Sequence, residues 1–135
     1  MSPIQIELIN RSWDKLAWNS SRLVSSFHVH LFNVDPDAQT LFVGDKGQKV
    51  TGMMSMIDVA IGLLDHWELF TRKLGDFGQR HVDYGVMELH YRGFGEALML
   101  TLGEFLGPEF TPDTQDAWAE FYSLMAQSMI DGAKS

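Results

Sequence analysis

Apolar residues recur along this chain at helical spacing from one end to the other. Ser2-Pro3-Ile4-Gln5 opens the first element. Serine caps, proline suits the first helical position, and Gln5 completes a capping box. Ile4, Leu8, Ile9, Trp13 and Leu16 then form one stripe. Asn19-Ser20-Ser21 is expected to cap a second helix, with Leu23, Val24, Phe27, Leu31 and Phe32 on one face. Asp35-Pro36 stops that helix and opens a short one ending at Leu41-Phe42, and Gly44-Asp45-Lys46-Gly47 reads as a turn.

From Gln48 to Asp65 a long amphipathic helix is expected, carried by Val50, Met53, Met54, Ile57, Ala60, Ile61 and Leu64. Gly52 and Gly62 weaken it, and a close crossing with another helix is the expected compensation. Phe70, Leu74, Phe77 and His81 share one face of the next helix, which Gly85 is expected to end. Tyr91, Phe94, Leu98, Leu102 and Phe105 mark a further helix, stopped by Gly107-Pro108. Thr111-Pro112-Asp113 caps the last, with Trp118, Phe121, Tyr122, Met125 and Met129 as its stripe. No segment alternates with the period of a strand. The pattern predicts an all-α fold of about six or seven helices.

Composition narrows the function. A chain of 135 residues is one domain's worth, and residues 1–135 are read as one. The absence of cysteine removes disulfides, thiolate metal sites and cysteine nucleophiles together. With 10 basic and 18 acidic residues the formal charge is −8, which argues against a nucleic-acid partner. No apolar run approaches the roughly 18 residues a membrane span needs, and the start lacks the pattern of a signal peptide, so a cytoplasmic location is expected. At this length no reductase domain is expected alongside it.

Five histidines carry the candidate chemistry. His28 and His30 diverge by about 200° on a helix, so they cannot share a metal, and one is expected inward and one outward. His66 is expected in solvent and His90 on a polar face. His81 differs, being in register with Phe70, Leu74 and Phe77. On spacing alone it is either a hydrogen-bonded core histidine or a metal ligand. If a ligand, its other ring nitrogen is expected to donate to a carbonyl one turn earlier, near Phe77. No di-iron motif, P-loop or nucleophile elbow is present. The eight methionines mostly fill helical stripes.

Several blocks in order resemble the globins, in a style close to neuroglobins and single-domain bacterial globins. They are Ile9-Asn10-Arg11-Ser12-Trp13, Pro36, Leu41-Phe42, Met56-Ile57-Asp58, the run from Leu74 to His81 with Gly85-Val86, Gly95-Glu96-Ala97-Leu98, Leu106 to Pro112, and Ala117-Trp118 with Tyr122. The resemblance implies a globin fold around a haem, of the b type, with His81 as the proximal iron ligand. It places Phe42 against the haem face and Val86, Tyr91 and Phe94 along the pocket after the proximal helix. Phe77, Lys49 and Met53 complete the expected cofactor-binding set, since a planar apolar macrocycle needs a slot of large side chains.

The distal side departs from the globin pattern. Where the family places histidine or glutamine, this chain has Lys49, preceded by Gln48; the ligand-facing position on the second helix is His28. His28 can hydrogen-bond a bound ligand, or bind the iron itself. Lys49 can bind iron only as a neutral amine, and losing its proton at pH 7 costs about 4–5 kcal/mol. Its alternative is a charged end snorkelling toward a haem propionate. Gln48 takes its place in the pocket if the helix is wound differently there.

The function implied is reversible binding of oxygen, nitric oxide or carbon monoxide, with oxygen transport as one form of it. One rival is a nitric-oxide dioxygenase or a nitrite- or peroxide-processing haem enzyme served by an external reductase. The other is a haem-free helical sensor that keeps the globin shape.

Overall fold

The computed structural model describes residues 1–38, 46–83, 86 and 88–134, apart from the side chains of residues 20, 46–53 and 83. Among them are six α-helices: α1 (Pro3–Leu16), α2 (Ser20–Val34), α3 (Lys46–Gly62), α4 (Trp67–Asp83), α5 (His90–Leu106) and α6 (Pro112–Ala133). No strand occurs among the described residues.

The helix starts follow local chemistry. Ser2 Oγ accepts from the Gln5 amide at 3.1 Å, and the Gln5 side chain accepts from the Ser2 amide at 3.1 Å, closing the capping box around Pro3. Thr111 accepts from the Thr114 amide and so caps α6, with Pro112 behind it and Asp113 in the first turn. Gly107 ends α5 at φ 55°, a left-handed conformation that glycine adopts without a side-chain penalty.

Several expectations need correction. Ile4 is 71% exposed, because the buried stripe of α1 begins only at Ile9. Asn19 makes no capping bond; a 3-10 turn, Ala17–Asn19, joins α1 to α2 and leaves Trp18 in solvent. The long helix runs over Lys46–Gly62, so Lys46 and Gly47 are helical rather than part of a turn, and Asp65 lies beyond its end. Gly62 is exposed with nothing near it and marks no crossing. The expected short helix begins as a single 3-10 turn at 36–38; its end at Leu41-Phe42 lies outside the described residues, as do Gly44, Gly85 and the surroundings of Gly52.

The close crossing belongs to α4 and α6. A Cβ built on Gly78 would stand 2.0 Å from the carbonyl oxygen of Met129, and one on Gly132 would stand 2.3 Å from the Cα of Gly75. Only bare backbone fits there. Phe70, Leu74, Phe121, Met125 and Met129 join the core beside this seam.

Polar ties fix the other helices. Trp118 Nε1 donates to Ser12 Oγ at 2.8 Å, and Ser12 donates in turn to the Leu8 carbonyl at 2.7 Å, joining α6 to α1. Trp13 Nε1 donates to Asp58 at 3.0 Å, joining α1 to α3. Glu104 accepts from Ser26 and meets His30 at 3.1 Å, joining α5 to α2; these bonds hold its carboxyl below the usual range.

The crossing of α5 and α6 also needs a glycine. A Cβ on Gly95 would lie 2.7 Å from the ring of Tyr122, whose hydroxyl is held by the Tyr91 carbonyl. Gly95→Ala is therefore expected to destabilise the protein by about 1–3 kcal/mol in denaturant unfolding. In a Tyr122→Leu background that penalty shrinks, giving a coupling of about 0.5–3 kcal/mol. Equal penalties in both backgrounds would place the clash elsewhere.

Candidate functional site

Helix α4 presents Phe70, Leu74, Phe77 and His81 along one side, while Arg72, Lys73, Asp76 and Arg80 stay in solvent. The glycine seam, on the adjoining side of its middle turns, meets α6. His81, in the last turn, is half-buried.

The His81 ring is fixed by a bond within its own helix. Its Nδ1 lies 2.6 Å from the Phe77 carbonyl oxygen, as the four-residue spacing predicts. A carbonyl only accepts, so Nδ1 carries the proton and Nε2 carries the lone pair. Burial is the largest influence on the ring's titration and pushes its pKa below the ordinary value; the Phe77 bond opposes this and the Arg80 guanidinium adds to it. The imidazole is consequently neutral at pH 7, the form that binds a metal. The backbone N–H of Val86 donates to the His81 carbonyl at 3.0 Å and closes the end of the helix.

Several large apolar side chains pack against the core without being fully buried. Phe77, Val86 and Phe94 are half-buried against the core, as are Phe32 on α2 and Met54 on α3. Tyr91 is buried, its phenol pushed up by desolvation, and it meets Phe94 edge-on at 6.2 Å. Tyr122, whose pKa is also raised by burial, donates to the Tyr91 carbonyl and holds the first turn of α5. The Phe77 ring itself lies under Arg80 at 5.3 Å and Lys73 at 5.8 Å, so its best-defined service to His81 is through the backbone.

On α2, His28 is half-buried, with Nε2 shut off from solvent and its ring stacked on Phe32 at 5.5 Å. His30 points instead to Glu104, so the pair diverges as helical geometry requires. His66 is exposed. His90 overturns its expectation: it is buried, not on a polar face, because its ring stacks on Phe94 one turn on. The signal was present, since residues four apart on a helix share a face. Phe42 lies outside the described residues. Gln48, Lys49 and Met53 are on the backbone of α3, but their side chains are likewise outside the description.

This donor set fits a haem. A neutral imidazole with an anchored Nδ1 proton is the form that could offer one nitrogen to iron, and the chain also holds half-buried aromatic and aliphatic side chains of the kind an apolar macrocycle needs. Among the described residues no group of three or more histidine, aspartate and glutamate side chains could hold a bare metal ion. No helix of the described residues is long and apolar enough to cross a membrane.

Comparison with known proteins gives the same direction. Neuroglobin of Danio rerio is 30% identical over 139 residues, covering 93% of this chain and 87% of the relative. An anaerobic nitrite reductase of Oryza sativa subsp. indica is 26% identical over 139 residues, covering 98% and 96% respectively. In fold, the chain is similar to the crystal structure of a hexacoordinated heme protein from an anhydrobiotic tardigrade, with a TM-score of 0.89 at 15% identity, over 100% of this chain and 96% of that one. The Globin family model matches residues 25–129, which takes in α4, α5 and most of α6, and the chain belongs to the globin family.

Proposed function

We propose that residues 1–135 form a single globin domain that holds haem b through His81 and binds a diatomic gas reversibly. As a globin the chain is a haem protein with a gas ligand; the assignment of His81 is carried by its bond to Phe77. That bond leaves Nε2 as the basic nitrogen and fixes the plane of the ring, while burial keeps the ring neutral. When bound, haem supplies the iron position at which oxygen, nitric oxide or carbon monoxide binds.

The protein's own groups do the rest. His81 orients the iron from the proximal side. Val86, Tyr91 and Phe94, with Phe42 and Met53, wall the cofactor and exclude water. His28 brings a polar nitrogen to the distal side, supported by the burial of its Nε2. For Lys49 the reading is a charged end toward a haem propionate rather than an iron ligand, because a solvated ammonium is cheaper than a buried one. Gln48 lies one position earlier on the same helix. The finer assignment is oxygen transport in the cytoplasm.

A second reading is turnover of nitrite or nitric oxide with electrons from an external reductase. It is supported by the relationship to a plant protein named for nitrite reduction. Steady nitrite consumption by the haem-loaded chain with a reductase would favour it over simple carriage.

His81→Gly is expected to lose haem on purification and to regain a haem absorption spectrum when imidazole is supplied. Unchanged haem content in that variant would remove His81 from the proximal role. His28→Leu is expected to speed dissociation of bound oxygen by about two- to twelve-fold, the worth of one hydrogen bond of about 0.5–1.5 kcal/mol. An unchanged rate, with Lys49→Ala altering it instead, would assign the distal role to Lys49.

A further inference from the structure

We infer that the last turn of α6 sets the position of His81, with Gly132 and Gln79 as positioning residues; this rests on His81 being the proximal ligand. Two backbones meet at this turn. A Cβ on Gly132 would stand 2.3 Å from the Cα of Gly75, 2.4 Å from its carbonyl oxygen and 2.6 Å from its carbonyl carbon. Each of these neighbours is backbone, so no rotation of a side chain relieves the overlap. The axis of α4 itself must move.

Gln79 crosses the same seam in the opposite direction. Its Nε2 donates to the Gly132 carbonyl at 3.1 Å. That carbonyl is in the last turn of α6, where it also faces the backbone N–H of the capping residue Lys134. The seam therefore has a steric stop that limits how near the helices come, and a hydrogen bond that limits how far they part. His81 lies six residues beyond Gly75 on the same helix, about 9 Å along its axis. It lies two residues beyond Gln79. Its ring is tied to Phe77, the residue before Gly78, and Gly78 meets the Met129 backbone. A helix held this tightly moves as a rod, so a shift at the seam carries Nε2 with it. The strength of the bond that Nε2 makes is then set by residues that touch neither haem nor gas.

The test uses the full haem-loaded chain, with Gly132→Ala to add the clash and Gln79→Ala to remove the tie. If Gly132→Ala fails to fold, Gln79→Ala carries the test alone, and Gln79→Arg, which restores a donor, is its rescue. The readout is the electron paramagnetic resonance spectrum of the ferrous protein under nitric oxide, which reports whether the proximal bond persists. The ratio of broken to intact bonds is expected to change by about two- to thirty-fold, the usual range for mutations that act through a coupled element, and to return toward the parent value in Gln79→Arg. In a His81→Gly background loaded with imidazole the ligand is detached from α4, and neither substitution should alter the spectrum. A parent-like ratio in the folded variants, or the same change in the detached background, would overturn the inference. If His81→Gly without imidazole keeps the parent spectrum, it is the proximal assignment that fails instead.

Discussion

The contact on which the site depends is the one between the backbones of α4 and α6. Gly75 and Gly78 on one helix and Gly132 on the other leave room for the chains to meet without side chains between them. Close-packed interiors transmit displacement rather than absorb it, so this seam determines the position of everything further along α4. His81 is the group of consequence there. The apolar side chains of α6, with Trp118 and Phe121 fully buried, then fill the centre of the molecule from the other side of the same helix pair.

The state of His81, the proposed proximal ligand, follows from that placement in a short causal chain. Interior burial strips water from the ring and disfavours its charge. The Phe77 carbonyl, one turn earlier, accepts a hydrogen bond from Nδ1–H and so decides which nitrogen remains basic. The two influences oppose one another on the pKa, and burial is the larger. The outcome is a neutral imidazole oriented by its bond to the Phe77 carbonyl. The Val86 amide closes the helix behind it, and the first turn of α5 is held in place by the Tyr122 hydroxyl.

Much of this was legible in the sequence, for reasons particular to certain residues. The capping box at Ser2 and the Thr111-Pro112 start are local signals and appear as read. The histidine in register with Phe70, Leu74 and Phe77 gave the Phe77 bond directly. What periodicity could not give was the identity of neighbours. Gly62 and Gly75 look alike as residues that weaken a helix, yet one faces solvent and the other a second backbone. Ile4 fits a stripe whose first turn has nothing to pack against. His90 looked polar because histidine usually is, while its neighbour at one turn, Phe94, offered it a stacking face.

Polar and apolar roles are divided between the two sides of the proposed pocket. The proximal side is built from elements that are braced several times over, while the distal side relies on His28 and on residues of α3 that depart from the globin pattern. The central claim is that His81 offers Nε2 to iron while Nδ1–H is held by Phe77. Proton NMR of the ferric, cyanide-treated protein carrying 15N-labelled histidine tests this most directly. One strongly shifted ring N–H is predicted, assigned to His81 and slow to exchange with deuterated water. A shifted ring N–H that belongs to another histidine, or a His81 Nδ1–H that exchanges at once, would contradict it.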